Sequence, residues 1–184
     1  MGAMLIVGTL FAQMATAQKN DEDKRFSGGF GIEPGYTRQR VKLTSEYGGN
    51  TESASAVEFG LSGRFAAKVG PGWITLTPGF GVVVPTEDND VEDPEVINRY
   101  FGKLGYKYIF AKYLFVMGEG GYAHYTDDEG EEGNGGPCFA VSFGGNFKVF
   151  ELGLKYEMTS LSKKYDYVSS QSFSTIGLRI GFNF

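Results

Sequence analysis

The sequence predicts an all-β protein, an eight-stranded antiparallel up-and-down transmembrane barrel. Three observations lead there. Eight segments alternate apolar and polar residues, the connections between them alternate long and short, and the last segment stays apolar to the final residue. In Ser172–Phe184, Ser174, Ile176, Leu178, Ile180, Phe182 and Phe184 share one parity, and Thr175, Gly177, Arg179, Gly181 and Asn183 share the other. Successive strand residues point to opposite faces, so this strand has one greasy and one polar side. An edge strand this apolar invites aggregation in water. It fits a closed barrel whose greasy face meets lipid.

Composition agrees. Of 184 residues, 28 are Gly, 16 Phe and 11 Tyr; Gly alone is about twice its usual share. That is the make-up of twisted, tightly packed strands rather than of a helical domain. Mean hydropathy is -0.20, and beyond the N-terminus no apolar run approaches the roughly 20 residues of a membrane helix. The net charge of -5 argues against nucleic acid as a partner. Cys138 and His124 are the only residues of their kinds. A disulfide framework, a cysteine zinc site and a multi-histidine metal site are thereby excluded, and no cofactor is expected.

Taken in order, residues 1–17 read as a secretory signal peptide. Leu5, Ile6, Val7, Leu10 and Phe11 form a short apolar stretch, followed by the small-residue cleavage pattern Ala15-Thr16-Ala17. No Lys or Arg precedes that stretch, an unusual start for such a peptide; a buried N-terminal helix is the alternative. Residues 18–25 are charged and are expected to be flexible. Residues 26–184 form the barrel domain.

The eight predicted strands are about Phe26–Arg38, Ala54–Lys68, Trp73–Val84, Ile97–Phe110, Tyr113–Thr126, Cys138–Val149, Glu151–Leu161 and the C-terminal segment. Pro34 lacks a ladder N–H, so a bulge is expected there, and Pro78 interrupts the third strand. The connections Lys42–Ser53, Thr86–Val96, Asp127–Pro137 and Ser162–Gln171 are long. Val69–Gly72 and Ala111-Lys112 are tight, and Phe150 alone separates strands six and seven. In an up-and-down sheet all long loops then fall at one end, the asymmetry of outer-membrane barrels. Trp73, Tyr108, Phe110, Tyr113, Phe182 and Phe184 gather toward the tight-turn end. Tyr36, Tyr100, Tyr122 and Tyr156 gather toward the loop end, as two interfacial belts would.

With these segments, this loop asymmetry and this ending, the chain over about Phe26–Phe184 resembles the small outer-membrane barrel family of OmpA/OmpX type. The resemblance implies periplasmic termini, external loops and a Gram-negative outer membrane. The partners it implies are outer-membrane lipids and lipopolysaccharide, with a monomeric barrel. Ile180-Gly181-Phe182-Asn183-Phe184 resembles the C-terminal signal by which the barrel-assembly machinery takes up that family, with Phe182 and Phe184 as its aromatic residues. A start at Gln18 is similar to mature starts common in Bacteroidota.

The polar parity carries Glu33, Glu58, Glu119 and Glu157 together with Arg64, Arg99, Lys103, Lys107, Lys155 and Arg179. Inside so narrow a barrel these charges must pair, because an unpaired buried charge costs several kcal/mol. The expectation is a closed lumen charge network. A narrow ion or solute path is the sharper alternative. Two loop runs, Glu87–Glu95 and Asp127–Glu132, hold 11 of the 22 acids. They do not match a calcium-loop pattern and read as solvated tips, or as weak divalent-cation sites. Arg38, Arg40 and Lys42, with Lys163 and Lys164, are placed to meet lipopolysaccharide phosphates. Cys138 reads as a small residue near the lumen.

The expected role is non-enzymatic: envelope integrity, surface contact or a small passive pore. Two rivals stay open. A soluble lipocalin-like carrier would alternate identically but turn its apolar parity inward around a lipophilic ligand. A lipid A-modifying enzyme would use His124, with Thr126 two residues on where the resemblance wants Ser, and Asp127 or Glu129 to orient the ring.

Overall fold

In the computed structural model the described residues are 25–43, 50–86, 96–126, 133–147, 149–161 and 168–184. They form eight strands: β1 (Phe26–Leu43), β2 (Asn50–Val69), β3 (Gly72–Pro85), β4 (Ile97–Phe110), β5 (Leu114–Thr126), β6 (Gly133–Phe147), β7 (Phe150–Leu161) and β8 (Val168–Asn183). Each pairs antiparallel with its successor, and β8 pairs with β1 to close the barrel. The signal peptide, the 18–25 segment up to residue 24, both acidic runs, Lys163 and Lys164 lie outside the described residues.

Several boundaries differ from the sequence reading. β1 and β2 run on toward each other by about one extra turn of pleat each, because Arg38–Leu43 find partners in Asn50–Ser55. β6 begins at Gly133, where glycines allow close pairing with Thr126 and its neighbours on β5. Phe150 is the first residue of β7, paired with Phe147, rather than the connection between the two strands. No bulge forms at Pro34. The β1–β2 register passes through Pro34↔Phe59 unbroken. On the β8 side the ladder skips from Ile32↔Ile180 to Gly35↔Gly177 and resumes in the same register. Pro78 behaves alike: β2–β3 pairing skips from Ser62↔Gly79 to Phe65↔Leu76 without slipping. Each proline removes a donor, and the sheet loses a rung rather than gaining a residue.

The registers set the barrel's dimensions. Following paired residues once around from Asn146 through Glu151, Gly181, Gly31, Ser62, Gly79, Phe101 and Ala123 returns to β6 at Gly136, ten residues away. With about 3.3 Å per residue and about 4.8 Å between strands, that shear tilts the strands by about 40° and gives a backbone radius of about 8 Å. Each residue then advances about 2.5 Å along the axis, so 10 to 12 residues cross the hydrocarbon layer, about the length a spanning strand requires. Every strand but β7 exceeds this, and β1, β2 and β8 are the longest.

The outward parity is apolar on every strand. Phe59, Phe80, Leu104, Phe139, Leu154 and Ile176 are all at least half exposed, an apolar band that soluble monomers rarely present. The soluble-carrier alternative required the opposite orientation of the two parities. The exterior is that of a transmembrane barrel.

The β4–β5 turn carries the only non-glycine residues at positive φ among the described residues, Ala111 at 46° and Lys112 at 69°. Left-handed backbone costs an L-residue about 1–2 kcal/mol. Lys112→Gly is therefore expected to raise barrel stability by about 1 kcal/mol, and Lys112→Val to lower it. Urea unfolding of the vesicle-inserted protein measures both; equal midpoints for the two variants would contradict the strain.

Candidate functional site

All ten charged residues singled out by the sequence lie on the inward parity and are buried. An eleventh, Glu151, is fully buried among them. Sequence reasoning misses it because it opens the predicted seventh strand, although it shares the odd parity of Lys155 and Glu157. Between them these side chains make two clusters stacked along the axis.

The upper cluster, toward the loops, is neutral: three carboxylates and three cations. Arg99 bridges Glu58 and Glu157. Lys103 Nζ lies 2.8 Å from Glu157 and 3.8 Å from Glu33. Lys155 Nζ lies 2.7 Å from Glu33 and 3.3 Å from Glu157. The hydroxyls of Thr37 and Thr175 donate to the same Glu58 oxygen at 2.9 and 3.0 Å. These threonines escape a charge-based reading, yet they satisfy lone pairs that the cations leave over.

The lower cluster holds two carboxylates against three cations. Arg179 takes Glu119 at 2.5 Å, and Thr77 donates to Glu119 at 2.8 Å. Glu151 gathers Arg64 and Lys107, each at 2.5 Å, and Arg179 Nε at 3.5 Å. Lys107 also donates to Asn146 at 2.9 Å. Gly181 matters here: a Cβ on it would overlap the Arg64 guanidinium. The excess positive charge of the column thus sits at the tight-turn end, around one glutamate.

Above the upper cluster the lumen is closed by apolar side chains. Tyr125 and Phe173 stack with ring centroids 4.3 Å apart. Ala56, Val83, Phe101, Ala123, Cys138 and Leu161 pack with them. The Arg99 guanidinium lies over the Phe101 ring at 4.6 Å, a cation–π contact that joins plug to column. At the opposite end Phe115 and Met117 are buried. An eight-stranded barrel is just wide enough for such side chains to fill it.

The remaining candidates separate. His124 and Thr126 sit on the outward parity at the loop end, both half-buried. The imidazole lies against β6, where a Cβ on Gly133 would collide with it. Among the described residues no hydrogen bond joins His124 to Thr126 or to an acid, and Asp127 and Glu129 lie outside them. Cys138 is a free, buried thiol in the plug. Tyr36, Tyr100, Tyr122 and Tyr156 are exposed on the outward face toward the loops. At the other end Phe182 packs between Phe30, at 5.0 Å, and Phe150, at 5.6 Å. Trp73 does not join that belt: it is on the inward parity of β3, with Thr75 and Thr77. The terminal residue is held in the sheet, since Phe184 and Gly28 exchange backbone hydrogen bonds of 2.8 and 3.1 Å.

Two solved proteins share the closed eight-stranded barrel. Ail, the attachment invasion locus protein of Yersinia pestis, aligns over 88% of this chain and 100% of its own, with a TM-score of 0.52 and 17% identity. Neisserial surface protein A aligns over 86% of this chain and 99% of its own, with a TM-score of 0.56 and 11% identity. The chain has their fold, the closed eight-stranded antiparallel barrel. No protein-family model matches the sequence, and no curated protein matches it.

The two clusters make unequal demands. Glu151→Gln would leave three buried cations around a neutral group, and the expected cost is about 3–5 kcal/mol. Lys155→Met leaves Glu33 and Glu157 with other cations and brings the column to neutrality, so it should cost less than half as much. The test is the urea midpoint of each variant in lipid vesicles. Equal costs would show that the charge excess does not govern the column.

Proposed function

We propose that this protein is a non-enzymatic, non-conducting integral barrel of a Gram-negative outer membrane, contributing to envelope integrity and surface contact. The single observation that carries the reading is the pairing of an apolar exterior with an inward face of buried ion pairs and a packed aromatic plug. The exterior requires a bilayer. The paired clusters and aromatic plug in the lumen support a barrel without the open aqueous path of a passive pore.

Supporting features come from the sequence. Residues 1–17 direct export as a signal peptide. Phe182 and Phe184 point outward at the tight-turn end, where the barrel-assembly machinery would take hold of the last strand. The closed sheet has no free edge around its membrane-spanning part, so a monomer suffices in lipid. Catalysis at His124 is not favoured, because the ring faces the exterior without an acid or a hydroxyl bound to it among the described residues.

The mature chain, refolded in detergent and moved into phosphatidylcholine vesicles, is expected to stay with the vesicles through alkaline washing. It should migrate differently on an SDS gel before and after boiling. In planar bilayers it should show no steady conductance. Folding without detergent and failure to enter vesicles would refute the membrane reading; regular single-channel steps would restore the pore.

A further inference from the structure

Three cations of the lower cluster converge on a single carboxylate. Arg64 Nη2 and Arg179 Nε lie 2.5 and 3.5 Å from the same Glu151 oxygen, and Lys107 Nζ lies 2.5 Å from the other. Arg179 gives its Nη1 to Glu119, 2.5 Å away. Among the described residues, two carboxylates therefore face three positive charges at this level. Hydrogen bonding shows the same shortfall. Arg64 Nη1 and Arg179 Nε are buried and have no hydrogen-bond partner among the described residues. The wall beside them is bare: Gly31 and Gly181 pair across β1 and β8, and a Cβ on Gly181 would overlap Arg64 Nη1. Nor is this cluster sealed. The side chains of Arg64 and Lys107 keep 8% and 10% of their surface exposed, whereas those of Arg99 and Lys103 in the upper cluster keep none. Lys68, exposed and on the inward parity of β2, stands four residues beyond Arg64 toward the tight-turn mouth.

We propose that the lower lumen binds one small monovalent inorganic anion, of the size and charge of chloride, at the unpartnered N–H groups of Arg64 and Arg179. From the functional reading above the inference takes only the closed barrel. Charge selects the class. A buried charge without a counter-charge is strongly penalised, and a guanidinium does not shed its proton. Lys107 donates to both Glu151 and Asn146, contacts that suit an ammonium. A single negative charge would make the lower cluster neutral, as the upper one already is with three carboxylates and three cations. Space selects the size. Within a backbone radius of about 8 Å, Phe115, Met117 and Thr77 are buried in the same part of the tube, so the fit is to an ion of one atom. Sulfate or phosphate would be larger and would overshoot the charge. The Tyr125–Phe173 stack closes the far end of the lumen. The site is therefore a blind pocket, loaded and emptied from the tight-turn end, and not a stage on a path through the barrel.

The test is urea unfolding of the protein in phosphatidylcholine vesicles at constant ionic strength, with chloride replaced stepwise by gluconate. Wild type is expected to lose stability as chloride is withdrawn. Chloride at ten times its dissociation constant should lower the unfolding constant about tenfold relative to gluconate. Bromide should substitute for chloride, and sulfate should not. Lys107→Met removes the surplus charge and should unfold at the same urea concentration in chloride and in gluconate. Lys155→Met changes the upper cluster and should keep the chloride dependence. Crystals grown in bromide should show an anomalous peak beside Arg64 and Arg179. Equal midpoints for wild type in chloride and gluconate would overturn the proposal, since water or a neutral Lys107 would then complete the cluster. The wild-type chloride dependence persisting in Lys107→Met would overturn it by placing the effect elsewhere. A dependence lost in Lys155→Met would overturn it by assigning the effect to the total charge of the column. Should Lys107→Met fail to fold, the wild-type bromide crystals decide, and no peak at the two guanidinium groups sinks the site. Indifference to chloride in a barrel that enters vesicles removes this inference alone. Failure to enter vesicles removes the membrane reading, and the chloride titration is then read in detergent micelles.

Discussion

A bilayer core offers a peptide group no water, so every N–H and C=O that enters it needs a partner in the chain. Everything else in this structure depends on how that demand is met. The ladder closes when β8 pairs with β1, and only then are the outermost strands without edges. Closure with eight strands and a ten-residue shear leaves one radius, about 8 Å. That radius determines what the inward side chains can be. They must fill the tube, and where they are charged they must neutralise one another within it. The two prolines are admissible for the same reason: Pro34 and Pro78 each omit a rung on one side while the other neighbour keeps its register.

The lumen is built as layers rather than as a uniform polar core. An aromatic plug lies nearest the loops, a neutral six-residue cluster beneath it, and a cationic five-residue cluster near the tight turns. Burying ion pairs is seldom favourable compared with apolar packing. Here the exterior already commits the apolar residues to lipid, and alternation hands the other face to polar ones. Threonine hydroxyls and Asn146 then satisfy what the ion pairs leave over. The column joins non-adjacent strands across the tube, β1 to β7 through Glu33 and Lys155 and β2 to β4 through Glu58 and Arg99. It braces the barrel against ovalisation in a way the ladder alone cannot.

Much of this was legible in the sequence, because a period of two reports faces directly. Strand number, the loop asymmetry, the inward placement of all ten predicted charges and the outward placement of Phe182 follow from parity alone. What parity cannot report is where a strand ends. Gly133–Gly136 and Ser170-Gln171 look like loop by composition, yet neighbouring strands were long enough to pair with them. Nor does parity give ion-pair partners, which depend on shear; Arg99 and Glu157 are brought together only by the cumulative offset across the intervening strands. Glu151 and Trp73 were both readable from their odd positions. They are missed when a residue at a segment's end is judged by its neighbours in sequence rather than by its face.

The bonds between Gly28 and Phe184 join the two ends of the barrel sequence. No local contact can prepare that seam, and loops of this length close slowly. Until it forms, β1 and β8 present open edges and the charged faces of a half-curled sheet have no tube to hide in. Lipid therefore resists any stepwise route in which strands enter singly. Entry and closure must proceed together, so the barrel is complete in the bilayer only when β8 has found β1.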